Sequence, residues 1–342
     1  MIGKRNLLAR CLVAGRVLSP IARIRAACRA DIPILAYHRV WDVRDEDHFP
    51  FDVELISAGT SDFRWQMEYV RQNFNPITFG TLLQVMDGAT PPPPRPIIVT
   101  FDDGFEDNFQ NAFPILNALE VPATIFLSTG YIGGETTFWS DRLAQLVLRA
   151  PDGELAIERL AGTWQLVADI SSRRQVLRNV LAELKLMPNE LRLRALKQLE
   201  TVLGGTQTDF APVESRPLNW NQVREMAHVG IEFGSHAVTH PILANLNDGD
   251  LQFELIKSRR DIEAQTGKPV HAISYPVGGR TAFNDRVRVA ANRAGYRLGI
   301  SYIPGTNPLR DLDHYGLRRQ RVERYTTRPY FAAMLGLPEM FQ

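Results

Sequence analysis

Six short apolar runs recur along the chain: IPILAYHRV (32–40), PIIVTFDDG (96–104), ATIFLSTG (123–130), GIEFGSH (230–236), VHAISYPVGG (270–279) and YRLGISYI (296–303). They are β-rich and nearly continuous rather than alternating, the pattern of strands buried on both faces. Helical patterns lie between them. Phe63, Met67, Val70 and Phe74 share a face after Ser61, and Leu251, Leu255 and Ile262 share one after Asp248. Parallel strands covered by helices follow, and in 342 residues this predicts a (β/α) barrel or an open doubly wound sheet.

From about 138 to 213 the pattern turns mostly helical (LAQLVLRA, QVLRNVLAELKL, LRLRALKQLETVL), which predicts a helical insertion within a domain spanning 32–342. The tetraproline Pro91 to Pro94 cannot continue a helix and serves as a stiff lead-in to the second apolar run. Only Cys11 and Cys28 are cysteines, so a disulfide framework and a Cys-rich zinc knuckle are excluded and any metal must be held by His and carboxylate.

A net charge of +1 argues against a general polyanion binder, and no nucleic-acid partner is expected. The charge is nonetheless uneven. Lys4, Arg5, Arg10, Arg16, Arg23, Arg25 and Arg29 fall in the first thirty residues, which contain no acid. Leu8, Leu12, Val17, Leu18, Ile21 and Ile24 interleave with them, but no run approaches the ~18–20 apolar residues that span a bilayer. Arg10 and Arg16 interrupt any secretory h-region. Residues 1–31 therefore read as a basic amphipathic segment, bent at Pro20, that can lie on an anionic membrane surface or pack on the domain with its arginines in solvent. The expected location is cytoplasmic, or peripheral at the inner face of the membrane.

In both candidate architectures the reactive groups collect at the C-terminal ends of the parallel strands. Asp102 and Asp103 close one run, His236 another, Tyr275 and Pro276 lie near the end of a third, and His38 is late in the first. In GSHAVTHP (234–241), His236 and His240 stand four apart, and Val238, Thr239 and Pro241 disfavour a long helix, so the pair is expected in a shaped loop. Two imidazoles with Asp103 as the natural third ligand, and positions left for water, describe a catalytic divalent site. Asp102 then remains free to take a proton.

Thr100-Phe101-Asp102-Asp103-Gly104 and Ser235-His236-Ala237-Val238-Thr239-His240-Pro241 together resemble the polysaccharide deacetylase family, carbohydrate esterase family 4 or the NodB-homology domain. The resemblance covers roughly 32–135 and 215–305. It implies a distorted (β/α) barrel and metal-dependent hydrolysis of an N-acetyl group on an amino sugar, with release of acetate. By motif position it implies Asp102 as catalytic base and Asp103, His236 and His240 as ligands of a divalent ion. Zn2+ is the expected ion, and Co2+, Ni2+ or Fe2+ suit the same ligands. Ser274-Tyr275-Pro276-Val277-Gly278 is similar to the third motif, implying that Val277 N–H helps hold the oxyanion and Tyr275 lies at the substrate. Leu218-Asn219-Trp220 resembles the tail of the fourth, which places Trp220 either along the groove or in the core.

The departures are specific. Ser274 replaces the usual Arg of the third motif and Asn219 the Asp that holds it; Arg280 is the nearest candidate for the missing cation. The usual late Leu-x-His has no clear match, since His314 lies in a loop-like LRDLDHYG, whereas Leu35-Ala36-Tyr37-His38 has that form at the N-terminal end. Deacetylases of exported poly-N-acetylglucosamine carry a similar N-terminal Tyr-His motif, and His38 is expected as the general acid. The expected substrate is an N-acetylated polysaccharide, oligosaccharide or lipid-linked glycan precursor. A hydrolase of small amides or imides on the same fold, and a sugar-binding relative without catalysis, are the alternatives.

Overall fold

The structure is a computed structural model that describes residues 2–134, 137–204 and 216–341. Seven parallel strands close into a ring: β1 (Ile34–Tyr37), β2 (Pro96–Phe101), β3 (Thr124–Leu127), β4 (Glu232–Ser235), β5 (Ala272–Ser274), β6 (Leu298–Pro304) and β7 (Leu317–Arg321). They follow one another around the ring in chain order, and β1 closes it by pairing with β7 on one edge and β2 on the other. This is a distorted (β/α) barrel. The distortion lies between β2 and β3, which pair only at Thr100 and Phe101; the lower half of β2 pairs instead with a short strand at Asn75–Pro76.

The six apolar runs all become barrel strands, and β7 is a seventh that hydrophobicity does not announce. Its sequence, LRRQR, buries Leu317, Arg319 and Gln320 and exposes Arg318 and Arg321. Side-chain parity divides the strands into two faces. Ile34, Ile98, Phe126, Ala272, Leu298, Ile300 and Leu317 form an apolar plug with Phe79, Leu82 and Leu83 of a helix at Phe79–Met86. Leu35, Tyr37, Val99, Phe101, Ile125, Leu127 and Tyr275 join the layer between barrel and outer helices. Gly234 is required by this packing, because a Cβ there would sit 2.4 Å from the Phe126 ring.

The segment after β3 holds three helices, at Trp139–Arg149, Ile170–Leu186 and Asn189–Val202. It also contains an antiparallel hairpin, Gly153–Leu155 with Trp164–Leu166, where the sequence reads as helical. Neither hairpin strand joins the barrel. Leu143, Val147, Leu155, Leu177, Val180, Leu184 and Leu199 give this segment a core of its own. The last part of the expected insertion, 205–213, lies outside the described residues.

At the N-terminus the expected single helix bent at Pro20 is instead two helices, α1 (Ile2–Ala14) and α2 (Leu18–Cys28). The break falls at Gly15–Val17, with Arg16 at φ 54°, and Pro20 lies in the first turn of α2, where its missing N–H costs nothing. Nor are the apolar residues of α1 confined to one face: Ala9 is buried while Leu7, Leu8 and Val13 are exposed.

Candidate active site

A cavity of about 300 Å³ opens at the C-terminal ends of the barrel strands, and His38, Asp102, Asp103, His236, His240 and Val277 all line it. Six residues from four separate stretches of sequence thus meet at one place, as the strand-end argument requires.

Asp102 and Asp103 leave the end of β2 in different directions. Asp102 N–H still donates to Tyr37 O at 2.9 Å, continuing the ladder, and its carboxylate points into the barrel. Asp103 turns to φ 73° and Gly104 to φ 87°; a Cβ on Gly104 would lie 2.7 Å from Leu127 Cδ2, so only glycine completes this turn. Ala237, His240 and Val277 also have positive φ, at 65°, 57° and 64°. A β-branched residue in that region is strained, and such strain persists only where the surroundings over-determine it.

Asp103 Oδ1 lies 3.5 Å from His236 Nε2 and 3.3 Å from His240 Nε2. One ligand atom from each of the three falls within 4.8 Å of the others. His236 Nδ1 bonds Ser274 O at 2.7 Å, so that nitrogen carries the proton and Nε2 presents its lone pair to Asp103. Burial pushes both imidazoles down and hence neutral. Burial and the adjacent Asp102 charge push the Asp103 carboxyl up to about 8. Two neutral imidazoles and a buried carboxylate that needs a positive partner form a donor set that fits a divalent cation.

The loop carrying the two histidines is braced from behind. Glu254, buried in the helix Asp248–Thr266, accepts from Val238 N at 2.6 Å, Thr239 N at 3.0 Å and Thr239 Oγ1 at 2.6 Å. Thr129 and Gly130, beyond β3, donate through their backbone N–H to Ala237 O and Val238 O. From the segment after β3, Arg192 donates to His240 O at 3.0 Å while its guanidinium lies over the Trp139 ring.

The cation missing from Ser274 is supplied by Arg319 of β7, not by Arg280, which is exposed and does not line the cavity. Arg319 is fully buried and spans the barrel interior. It donates to Asp102 Oδ1 at 2.8 Å and Oδ2 at 2.6 Å, to Ser274 Oγ at 3.1 Å and to Ser301 O at 2.8 Å. Burial works against the charge on Asp102, but Arg319, by its charge and its hydrogen bonds, holds the carboxyl well below the usual range. The sequence signal for this arginine is Leu317-Arg318-Arg319, a Leu-x-Arg on the last strand where the resemblance calls for Leu-x-His. His314 is exposed, and its carbonyl accepts from Gly299 N at the opposite end of the barrel. Asn219, with no arginine to hold, caps the helix Trp220–His228 through a capping box with Gln222.

His38 follows β1 on the cavity face, its ring 5.5 Å from that of Tyr302. Its backbone is fixed on both sides: N–H donates to Ser57 Oγ at 2.9 Å, and O accepts from Asn108 Nδ2 at 2.8 Å. Asn108 and Asn111 belong to a π-helical turn, Asn108–Ala112, that aims both amides at the His38–Val40 strand. Arg39 anchors the same strand through Asp107 at 2.8 Å and Asp141 at 3.1 Å. Burial pushes the His38 imidazole down to about 4, against the pull of Asp102.

Of the two expected substrate residues, Tyr275 borders the cavity but turns its ring away from it, and Trp220 does not reach it. Tyr275 has the parity of Ile273, so its ring leaves the barrel, stacks on Phe283 at 4.5 Å and donates from its hydroxyl to Tyr315 O. Trp220 packs on Gly133 and the outer core and does not line the cavity. Val277 does line it, and its N–H donates to no group of the chain among the described residues. The wall is completed by Phe138, Trp139 and Lys185 from the segment after β3 and by Tyr302 of β6.

Residues 89–299 match the polysaccharide deacetylase family. The chain belongs to that family. Polysaccharide deacetylases hydrolyse carbon–nitrogen bonds, and the chain is such a hydrolase. A putative polysaccharide deacetylase, YxkH of Bacillus subtilis (strain 168), is 23% identical over 308 residues, which cover 88% of this chain and 75% of that protein. The poly-beta-1,6-N-acetyl-D-glucosamine N-deacetylase of Escherichia coli (strain K12) is 27% identical over 143 residues, 42% of this chain and only 19% of that protein. Among solved structures, the Streptococcus pyogenes deacetylase PplD superposes with a TM-score of 0.58 at 19% identity, covering 92% of this chain and 99% of the other. IcaB from Ammonifex degensii gives 0.55 at 16%, with the same coverage. At these identities the structural likeness concerns the fold.

Proposed function

We propose that the chain removes the N-acetyl group from an amino sugar of a saccharide and releases acetate, with a divalent cation held by Asp103, His236 and His240. The observation that carries this reading is the convergence of those three donors beside the Asp102–Arg319 pair and His38 in one cavity. The relative that acts on poly-N-acetylglucosamine supports an N-acetylated saccharide as the substrate class.

A cation in the site supplies Lewis acidity, lowering the pKa of a water and polarising the acetamide carbonyl. Asp102 accepts the proton released as water adds to that carbonyl, and Arg319 keeps it ionised and aimed. Val277 N–H donates to the oxygen that becomes negative. His38 hands a proton to the departing nitrogen. Because its imidazole is neutral at rest, that proton is one received within the cycle, and the water's proton taken up at Asp102 is its source. The products are the amine and acetic acid, which gives its proton to the amine or to solvent as it leaves as acetate, so atoms and protons balance.

The test is metal analysis of the purified protein together with a panel of acetylated saccharides, read by mass. Loss of one acetyl group from an amino sugar, abolished by chelation and restored by adding a divalent ion, is expected. Turnover of cyclic imides with no mass change on any amino sugar would sink the proposal.

A further inference from the structure

The two N-terminal helices play no part in the chemistry above, yet their outward faces combine two unusual features. Lys4, Arg10, Arg16 and Arg23 are exposed and form no ion pair among the described residues, and no acid lies within the first thirty positions. Large exposed apolar side chains are concentrated in the same place. Of sixteen among the described residues, six (Leu7, Leu8, Val13, Val17, Ile21 and Ile24) lie on α1, α2 and their junction, with Leu7 62% and Ile24 66% exposed. Scattered exposed leucines need no explanation, but six large apolar side chains exposed within eighteen residues that also carry unpaired bases do.

The helices are not a loose arm. Leu18 and Ala22 lie against Gly336 of the helix Arg328–Gly336, where a Cβ on that glycine would come within 3.1 Å of Ala22 Cβ. Arg25 bonds Asp31 at 2.5 Å and Glu339 at 2.9 Å, and Thr327 Oγ1 donates to Asn6 Oδ1 at 2.9 Å. The inner face is therefore committed to the barrel and the outer face is held at a fixed orientation. No described helix is long and apolar enough to cross a membrane, so such a face can engage a bilayer only at its surface.

This face also has a definite relation to the catalytic cavity. Arg5 and Asn6 of α1 line a groove with Arg321, Glu323 and Tyr325, and Glu323 lines the catalytic cavity as well. The start of α1 thus lies one side chain away from the mouth of the site.

We infer that α1 and α2 form a docking surface for an anionic lipid bilayer, which seats the catalytic mouth beside the membrane so that it works on saccharides carried there. Charge complementarity selects the anionic bilayer: the bases meet lipid phosphates while Leu7, Leu8, Ile21 and Ile24 enter the headgroup boundary. The membrane-borne saccharide rests on the deacetylase reading; the docking does not.

The test is sedimentation of the full-length protein with vesicles of phosphatidylcholine alone or with added phosphatidylglycerol, at low and high salt. Binding to the anionic vesicles, weakened by salt, is expected. The triple variant Lys4→Glu, Arg10→Glu, Arg23→Glu should lower partitioning by about a hundredfold or more, given the contribution of each base near a charged surface. Leu7→Ser with Ile24→Ser should also lower it while leaving the charge unchanged. All these side chains are exposed, and thermal melts of each variant should match the parent. Equal sedimentation with both vesicle types, none with either, or a concentration-dependent dimer that these substitutions dissolve would overturn the inference. Acetate release from a soluble N-acetylated oligosaccharide, measured on the same proteins, keeps the two readings apart. Its absence in the parent protein would sink the deacetylase assignment and leave the docking result standing.

Discussion

Arg319 donates to both carboxylate oxygens of Asp102, and a third bond ties it to Ser274, the position where the third motif of the family usually carries arginine. The buried cation stands on β7 rather than on β5. Removing it leaves a buried carboxylate unpaired, so Arg319→Met should cost about 3–5 kcal/mol of stability in urea unfolding and nearly all turnover. The double variant Arg319→Ser, Ser274→Arg should recover part of both. No recovery would show that strand position, and not only charge, matters.

The adjacent aspartates should separate experimentally. Asp102→Asn should leave ion binding near the parent value while turnover falls by about 10²- to 10⁴-fold, the range general-base removal produces. Asp103→Asn should lose the ion and the activity together. Metal content after gel filtration, read beside acetate release, distinguishes them, and equal loss of both properties in both variants would contradict the division of roles.

His38 gives a pH signature in the metal-free protein. Its folded value of about 4 lies below the ordinary imidazole value, so between the two the unfolded chain binds a proton that the folded chain refuses. Stability is therefore expected to fall as pH drops from about 6.5 towards 4, by at most ~1.4 kcal/mol per pH unit for one group. His236 and His240 add to the slope with the same sign, while Asp103, its carboxyl pushed up to about 8, acts with the opposite sign in both the parent and the His38 variant, so the difference between the two proteins isolates His38. In His38→Gln the slope should be shallower, and turnover should drop even though the ion is retained. An unchanged slope would mean that this imidazole titrates normally.

Glu254 touches no proposed ligand directly but accepts three hydrogen bonds from the loop that carries two of them. Glu254→Gln should weaken ion affinity by roughly 10- to 100-fold, as loss of a supporting hydrogen-bond shell does. Competition against a graded chelator reads this out, and added ion should restore turnover in the variant if its role is confined to positioning.

What the sequence revealed follows from where hydrophobicity carries information. Six strands were legible because burial on both faces makes them continuous apolar runs, and the groups at their ends followed from the architecture. β7 was not legible, since three of its five residues are arginine. A fully buried arginine is specified by its partners, and those lie on β2, β5 and β6, far away in sequence. The same blindness explains Arg280, favoured by nearness along the chain, and the direction of the Tyr275 ring, since a motif position says nothing about strand parity. The hairpin after β3 went unseen because its strands are three residues long and half exposed.

The ring closes at one seam, where β1 receives β7 on one edge while already paired with β2 on the other. Asp103, His236 and His240 stand on β2 and β4, but Arg319 arrives only with the last stave. The donors proposed for the cation therefore come from the ends of the second and fourth staves, and the charge that tunes the base comes from the seventh. Whatever parts β7 from β1 withdraws the guanidinium from Asp102 and leaves Asp103, His236 and His240 on strands that do not belong to that seam.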